Sequence, residues 1–405
     1  MEIPGDALTQ ADNVEYMVSG GIRGRRGITG YNASALGGSV SSIWRHYPRT
    51  GSPTLIVAVD TGAAIAFYAG NDGAGTFAAI TGGGGLTTGK LWSFATWPAK
   101  NKTFMVDGVN AKTYDGSTIA GGPGAMKLGP YVTVHKNRLW ATDPNELTYS
   151  VYASDVDDET IWGAQISCND NQGGVITGVH SYQGALITMK STGLWRFLGD
   201  PSTASELTNY SHRGNVAPRS AQVTPFGIIY VGLDGVYLTD AQAENPLDLS
   251  IPIKPLFVSR GANVVYSSAV GIWNQSKNQY YLKLDPASTD LYVLSRVEFL
   301  GTQAPAWVWS KFTGVAGICG VAWGAGSDVG QVVLGRSDGY VDYLNSGVND
   351  KGASYTSAIT TSRRLIDASR RTGRAYRVRA LYRATGQMTG EILYDNNGTG
   401  ISFSV

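Results

Sequence analysis

One unit recurs along this chain and limits what it can fold into. A run of β-branched and aromatic residues meets a Gly or Asp-Gly turn, and a second strand carrying an aromatic follows. TLIVAVD (Thr54 to Asp60) leads through Thr61 and Gly62 to AAIAFYAG, KTFMVDG (Lys102 to Gly108) to AKTYDG, and YVTVHKNRLWATD (Tyr131 to Asp143) to LTYSVYASD. GALITMKSTGLWRFLG (Gly184 to Gly199), GIIYVGLDGVYLTD (Gly227 to Asp240), NQYYLKLD (Asn278 to Asp285) and GQVVLGRSDGYVDYLN (Gly330 to Asn345) continue the series. Asp-Gly between apolar strands predicts a hairpin, because both turn residues accept positive φ. The units are spaced by about 40 to 50 residues, the period of β-propeller blades. A blade is a four-stranded antiparallel sheet, and radial packing hides its edges. About 350 residues at that period predict roughly six to eight blades. A pair of β-sandwiches would use the same strands.

Composition agrees with an all-β reading. The chain has 405 residues, of which 53 are Gly, 22 Tyr and 10 Trp, and only 16% are charged. Strands take aromatics and tight turns take glycine. No long segment has apolar residues at helical spacing between caps. Cys168 and Cys319 are too few for a disulfide framework and read as buried free thiols of a protein made in a reducing cytoplasm. MEIPGDALTQ has neither a basic start nor an apolar core, so no signal peptide is expected there. No apolar run is long enough to span a bilayer as a helix.

Charge is unevenly distributed. Residues 1–50 hold five Arg against four acids, residues 51–350 hold 18 basic against 24 acidic residues, and residues 351–405 hold nine basic residues against three acids. A duplex-binding domain concentrates a basic face, and the acidic body lacks one. The tail alternates apolar residues with Arg in AYRVRALYRA, and GEILYDNNGTGISFSV reads as a terminal hairpin. NSGVNDKGAS is linker-like. The expected division is therefore a propeller body at 1–350 and an arginine-rich C-terminal β element at 351–405.

Motifs for chemistry are weak. GGIRGRRG (Gly20 to Gly27) lacks the strand–loop–helix setting and the GK[ST] of a phosphate loop, and TGGGGLTTGK lacks the required spacing and the hydroxyl after Lys90. His46, His135, His180 and His212 show no metal-ligand spacing. SDVDDETIW clusters acids without the central Gly of a calcium loop. No G-x-S-x-G elbow occurs. Catalytic, cofactor and metal residues are accordingly expected to be none.

Several stretches together resemble one family. DNVEYMVSGGIRGRRGITGYN (Asp12 to Asn32), VHKNRLWATDPNELTYSVYASDVDDETIW (Val134 to Trp162), STGLWRFLGDPS (Ser191 to Ser202) and APRSAQVTPFGIIYVGLDGVYLTD (Ala217 to Asp240) are similar to tail nozzle and hub proteins of tailed bacteriophages of the podovirus type, and to related packaged-DNA-stabilisation proteins. The resemblance covers about residues 6 to 345. It implies a non-catalytic virion tail component made in the bacterial host cytoplasm. It implies a homohexameric ring below the portal and adaptor, docked to other tail proteins, that retains double-stranded DNA and conducts it during ejection. Some nozzle proteins of the group are longer and carry inserted domains for which this chain has no room.

On this reading Gly20, Gly21, Gly24 and Gly27 turn the backbone tightly, while Arg23, Arg25 and Arg26 pair with carboxylates of the body or of a neighbouring subunit. A conduit gains from a mildly acidic lumen, since each neutralised phosphate adds affinity that slows passage. Arg363, Arg364, Arg370, Arg371, Arg374, Arg377, Arg379 and Arg383 are then expected to face neighbouring proteins. The alternatives are a glycan-binding propeller, with tryptophans on a concave face, and a propeller hydrolase.

Overall fold

In each unit one strand is buried along nearly its whole length. These strands are Thr54–Asp60, Lys102–Val106, Arg138–Thr142, Ala185–Lys190, Gly227–Val231, Gln279–Lys283 and Gln331–Arg336. Their sequences are mostly continuous apolar runs, the mark of a strand covered on both faces. Alternate side chains serve opposite neighbours. Ile228 and Tyr230 enter one core and Ile229 and Val231 the next.

The computed structural model describes residues 8–19, 21–71, 75–169, 174–202, 205–259, 262–298, 305–323, 330–361, 389–393 and 400–404. By contact the chain forms two compact units, Gln10–Thr360 and Met1–Thr9 with Thr361–Val405. The first is a seven-bladed β-propeller. Blades one to six take four-stranded antiparallel sheets from residues 39–79, 93–121, 132–167, 176–211, 222–248 and 270–312. Blade seven takes Gly317–Trp323, Gln331–Arg336 and Val341–Leu344, and its outermost strand is Ile28–Gly30 from the other end of the chain. Leu8–Asp12 and Ala358–Thr361 extend blade six outward, the former pairing parallel with Ala306–Phe312. The second unit contains an antiparallel pair, Thr389–Leu393 with Gly400–Ser404, which supplies the small C-terminal β element.

The buried strands begin at residues 54, 102, 138, 185, 227, 279 and 331, so the step varies from 36 (102 to 138) to 52 (227 to 279). The variation lies in loops, which a propeller tolerates because its blades pack through strands. Each seam between neighbouring blades has its own apolar core among the described residues. Met105 and Phe67 meet between blades one and two, Trp140 and Phe197 between three and four, Val57 and Val333 between one and seven. Trp92, Trp97, Trp140, Trp195 and Trp309 are buried in these seams.

Glycine acts differently from the sequence expectation at two places. Gly108, Gly116 and Gly339 of the Asp-Gly turns have φ of +91°, +101° and +85°. Gly235 does not adopt a left-handed φ; a Cβ there would sit 2.2 Å from Ser250 Oγ, so close packing makes it glycine. The opening loop is also corrected. Gly21, Gly24 and Gly27 avoid the left-handed region, and Gly20 lies outside the described residues. Ile22–Gly24 is a strand paired with Val14–Tyr16, and a Cβ on Gly27 would lie 1.9 Å from the Asn349 carbonyl oxygen. Gly27 permits a close backbone approach rather than a turn.

That approach is where the ring closes. Ser346 N donates to Gly27 O at 3.0 Å, Ile28 N to Asn349 O at 3.1 Å and Lys351 N to Ile28 O at 2.9 Å. Gly27→Ala is expected to destabilise the protein by roughly 1–3 kcal/mol in urea unfolding, the usual range for overpacking. Gly121→Ala, where a Cβ meets nothing within 4 Å, should shift stability by no more than about 0.5 kcal/mol.

Candidate functional site

The two ends of the propeller chain meet around Arg25. Every N–H of its guanidinium is engaged. Nε donates to Asn13 Oδ1 at 3.0 Å; Nη1 donates to the Arg26 carbonyl at 3.0 Å and Asp350 Oδ1 at 2.8 Å. Nη2 donates to Asp350 Oδ2 at 2.5 Å and the Thr313 carbonyl at 3.3 Å. The plane lies 3.9 Å from the Tyr355 ring centre, and the Tyr355 hydroxyl donates to the Arg25 carbonyl. A planar five-donor fork suits this setting and an ammonium would not. Asn13, at φ +52°, completes the clasp by donating to Thr313 Oγ1 and the Thr356 carbonyl.

A second ion cluster lies beside it. Glu15 is 1% exposed and accepts Arg23 Nε at 2.9 Å, Arg23 Nη2 at 2.7 Å and Lys277 Nζ at 2.6 Å. Burial alone would raise the Glu15 carboxyl; Lys277 and then Arg23 outweigh it and hold the group below the usual range. Of the arginines singled out in the sequence, Arg25 is therefore buried inside its own chain, Arg23 is half engaged with Glu15, and Arg26 is exposed. Arg363, Arg364, Arg370, Arg371, Arg374, Arg377, Arg379 and Arg383 lie outside the described residues. Asn13, Asp350 and Tyr355 carry no local sequence signal for this site, since their roles arise only when residues more than 300 apart meet.

The other candidate groups have structural partners. His46 Nδ1 bonds Thr103 Oγ1 and His135 Nδ1 bonds Ser181 Oγ, both at 2.8 Å and both between neighbouring blades. His180 faces the bore and His212 is exposed. Cys168 and Cys319 are buried thiols outside any disulfide, and burial pushes the Cys319 thiol up to about 11. The acidic stretch at 154–162 is a hairpin whose Glu159 pairs with Lys100 and Lys102. In the glycine-rich stretch Gly89 N donates to Asp60 Oδ2 at 2.6 Å, so that amide is already on a carboxylate. Among the described residues no group of three or more His, Cys, Asp and Glu is placed to hold a metal ion. No helix among them is long and apolar enough to cross a membrane.

The axial bore encloses about 1590 Å³ and is lined by the first strand of every blade. Arg219, in the turn before blade five, reaches across it. Its Nη2 donates to the Ser41 carbonyl of blade one at 3.1 Å.

No protein-family model and no curated protein matches the sequence. Among solved structures the chain is similar to Raptor of Chaetomium thermophilum, with TM-score 0.53 and 11% identity over 84% of this chain and 30% of that one. It spans about 30% of the Raptor chain. It is also similar to YCF48 bound to a D1 peptide (TM-score 0.45, 14% identity, 80% of this chain and 96% of that one) and to the Pan2 WD40 domain of Neurospora crassa (TM-score 0.45, 8% identity, 80% and 96%). At such identities the likeness concerns fold alone.

Two outcomes follow from this geometry. Arg25→Ala leaves Asp350 without its partner and should cost about 3–5 kcal/mol in urea unfolding, the range for breaking a buried pair. The histidines set an acid limit. Burial lowers His135 and His180 to about 4 and lowers His46 from its ordinary 6.5. They are neutral in the fold and take up protons on unfolding, so their contribution is full above about pH 6.5 and falls as the pH drops towards 4. The loss is at most about 1.4 kcal/mol per pH unit for each histidine. Urea midpoints between pH 7 and 4.5 measure it, and His135→Gln should flatten the slope.

Proposed function

We propose that this chain is a structural protein of a bacteriophage tail, a nozzle or hub that forms a ring of copies around the DNA channel and docks neighbouring tail proteins. One observation carries the reading. The stretch Asp12 to Asn32, one of the four that together carry the resemblance, is also the stretch that closes the propeller through Ile28–Gly30 and Arg25. That stretch has a physical task here: it closes a ring with hidden strand edges, suited to carrying load between neighbours.

Arg219 supports a further feature of the proposal. It crosses the bore of the single chain, so DNA would pass between copies and not through a propeller. Arg26, exposed beside the closing strand, and the arginines of residues 363–383 would then contact neighbouring subunits or tail proteins. In a six-copy ring the acidic body would face the duplex and let it slide.

Electron microscopy of the native particle tests this. A six-fold ring of this chain around an axial channel below the portal is the expected result. A single copy per particle, or no particle, overturns it and would bring a glycan-binding propeller forward. The isolated protein should bind duplex DNA weakly; tight binding that falls steeply with salt would contradict a sliding lumen.

A further inference from the structure

The wall of the bore mixes apolar side chains such as Ile43, Val179, Trp273 and Val321 with polar ones. Ser42 Oγ accepts from Trp92 N, Ser181 Oγ bonds His135 and the Asn274 amide bonds the Gly330 carbonyl, whereas the Thr133 hydroxyl and the Gln222 amide make no bond to the described protein. The carboxylates on its rim are satisfied locally. Asp60 accepts from Gly62 N, Thr88 Oγ1 and Gly89 N, and Asp107 from the backbone N–H groups of Val109 and Asn110. Lys90 and Arg45 stand towards its two ends, Arg45 stacked on Tyr47 at 4.3 Å.

Arg219, half-buried, differs from several other cations of the propeller. Arg25 faces Asp350, Arg138 faces Asp200 and Lys277 faces Glu15. Arg219 has no ion pair among the described residues. It donates to the Ser41 carbonyl and lies against the Cys319 thiol. Its donors beyond those contacts are neither buried nor bonded to the described protein, so they open on the bore. A guanidinium with open donors and no counter-charge beside it attracts an anion, and its fork matches the oxygens of a phosphate or carboxylate. The bond to Ser41 holds it across the axis, so less side-chain freedom remains to be lost on binding.

We propose that the bore is a binding site for a small hydroxylated anion, with Arg219 taking its phosphate or carboxylate group and the Thr133 hydroxyl and Gln222 amide taking its hydroxyls. The site belongs to the single propeller and does not depend on the tail reading.

Calorimetric titration of the full chain with inorganic phosphate, and separately with citrate, tests it. Saturable binding of at least one, at one per chain, is expected. Binding of phosphate alone marks a phosphate ester as the natural occupant, and binding of citrate alone a carboxylate. Arg219→Gln should weaken binding about tenfold or more, while Arg213→Gln, an exposed arginine outside the bore lining, should leave it unchanged. Arg219→Lys, which keeps the charge and loses the fork, should weaken it at least about threefold and serves if Arg219→Gln does not fold. No saturable binding by the unaltered protein, or equal binding by the Arg219 variants, overturns the proposal.

Discussion

The pairing of Ile28–Gly30 with Val341–Leu344 is the contact on which the other seams depend, because a propeller is a ring and each blade is covered only if both neighbours are present. Leaving that joint open would expose the apolar faces that hold Val40, Val57 and Val333 together. Closing it brings together residues 325 apart in sequence, as in Arg25 and Asp350. Loop-closure cost grows only with the logarithm of length, so a loop of this size costs roughly 2 kcal/mol more to close than one of a single blade. A buried bidentate ion pair with an added strand is of the right size to offset it. The same logic explains why the clasp uses arginine: five donors in one plane can tie the N-terminal segment, blade six and the C-terminal end of the propeller at once.

The polar groups of the propeller are arranged to serve this closure and the seams. Glu15 with Arg23 and Lys277 fixes the entering segment against the start of a blade-six strand. His46 and His135 each bond a hydroxyl on the next blade. Trp44 Nε1 does the same to Thr96 Oγ1, while its ring stacks on Phe94. Such bonds add direction to contacts that apolar packing alone would leave free to slide.

The blade repeat was legible in the sequence because the strand covered on both faces must be a continuous apolar run, and GIIYV or TLIVAV cannot be mistaken for a half-exposed strand. Blade number stayed open, from six to eight, because loop lengths blur the period. The last strand was not legible as such: ITG at Ile28–Gly30 is three residues long, and nothing in it names a partner more than 300 positions away. Repeating features of the backbone are equally hidden. Extra residues at Ser41, Thr177 and Ile318 interrupt the first strands of blades one, four and seven, with three different side chains at equivalent places. Glycine is ambiguous in the sequence for a related reason. Positive φ is one cause of glycine and close approach another, and only the neighbouring chain distinguishes them, as Asn349 does at Gly27 and Ser250 at Gly235.

Arg219 brings the scale of the fold to bear on function. The bore of seven blades is narrow enough for one side chain to span from blade five to a carbonyl of blade one. A duplex carries a charged backbone on its outside and a layer of counterions, and it could not pass such a passage without displacing that arginine and much of the wall. On the proposed tail reading, DNA would therefore need a larger opening made by several copies, and the bore of each copy would be left for something small. The two scales need different chemistry. The larger opening works best with little affinity for phosphate, so that the duplex slides; a small enclosed site works best with one well-held cation, so that the ligand stays. In the proposed ring, a net-acidic body and a bore crossed by arginine would meet both conditions within a single chain.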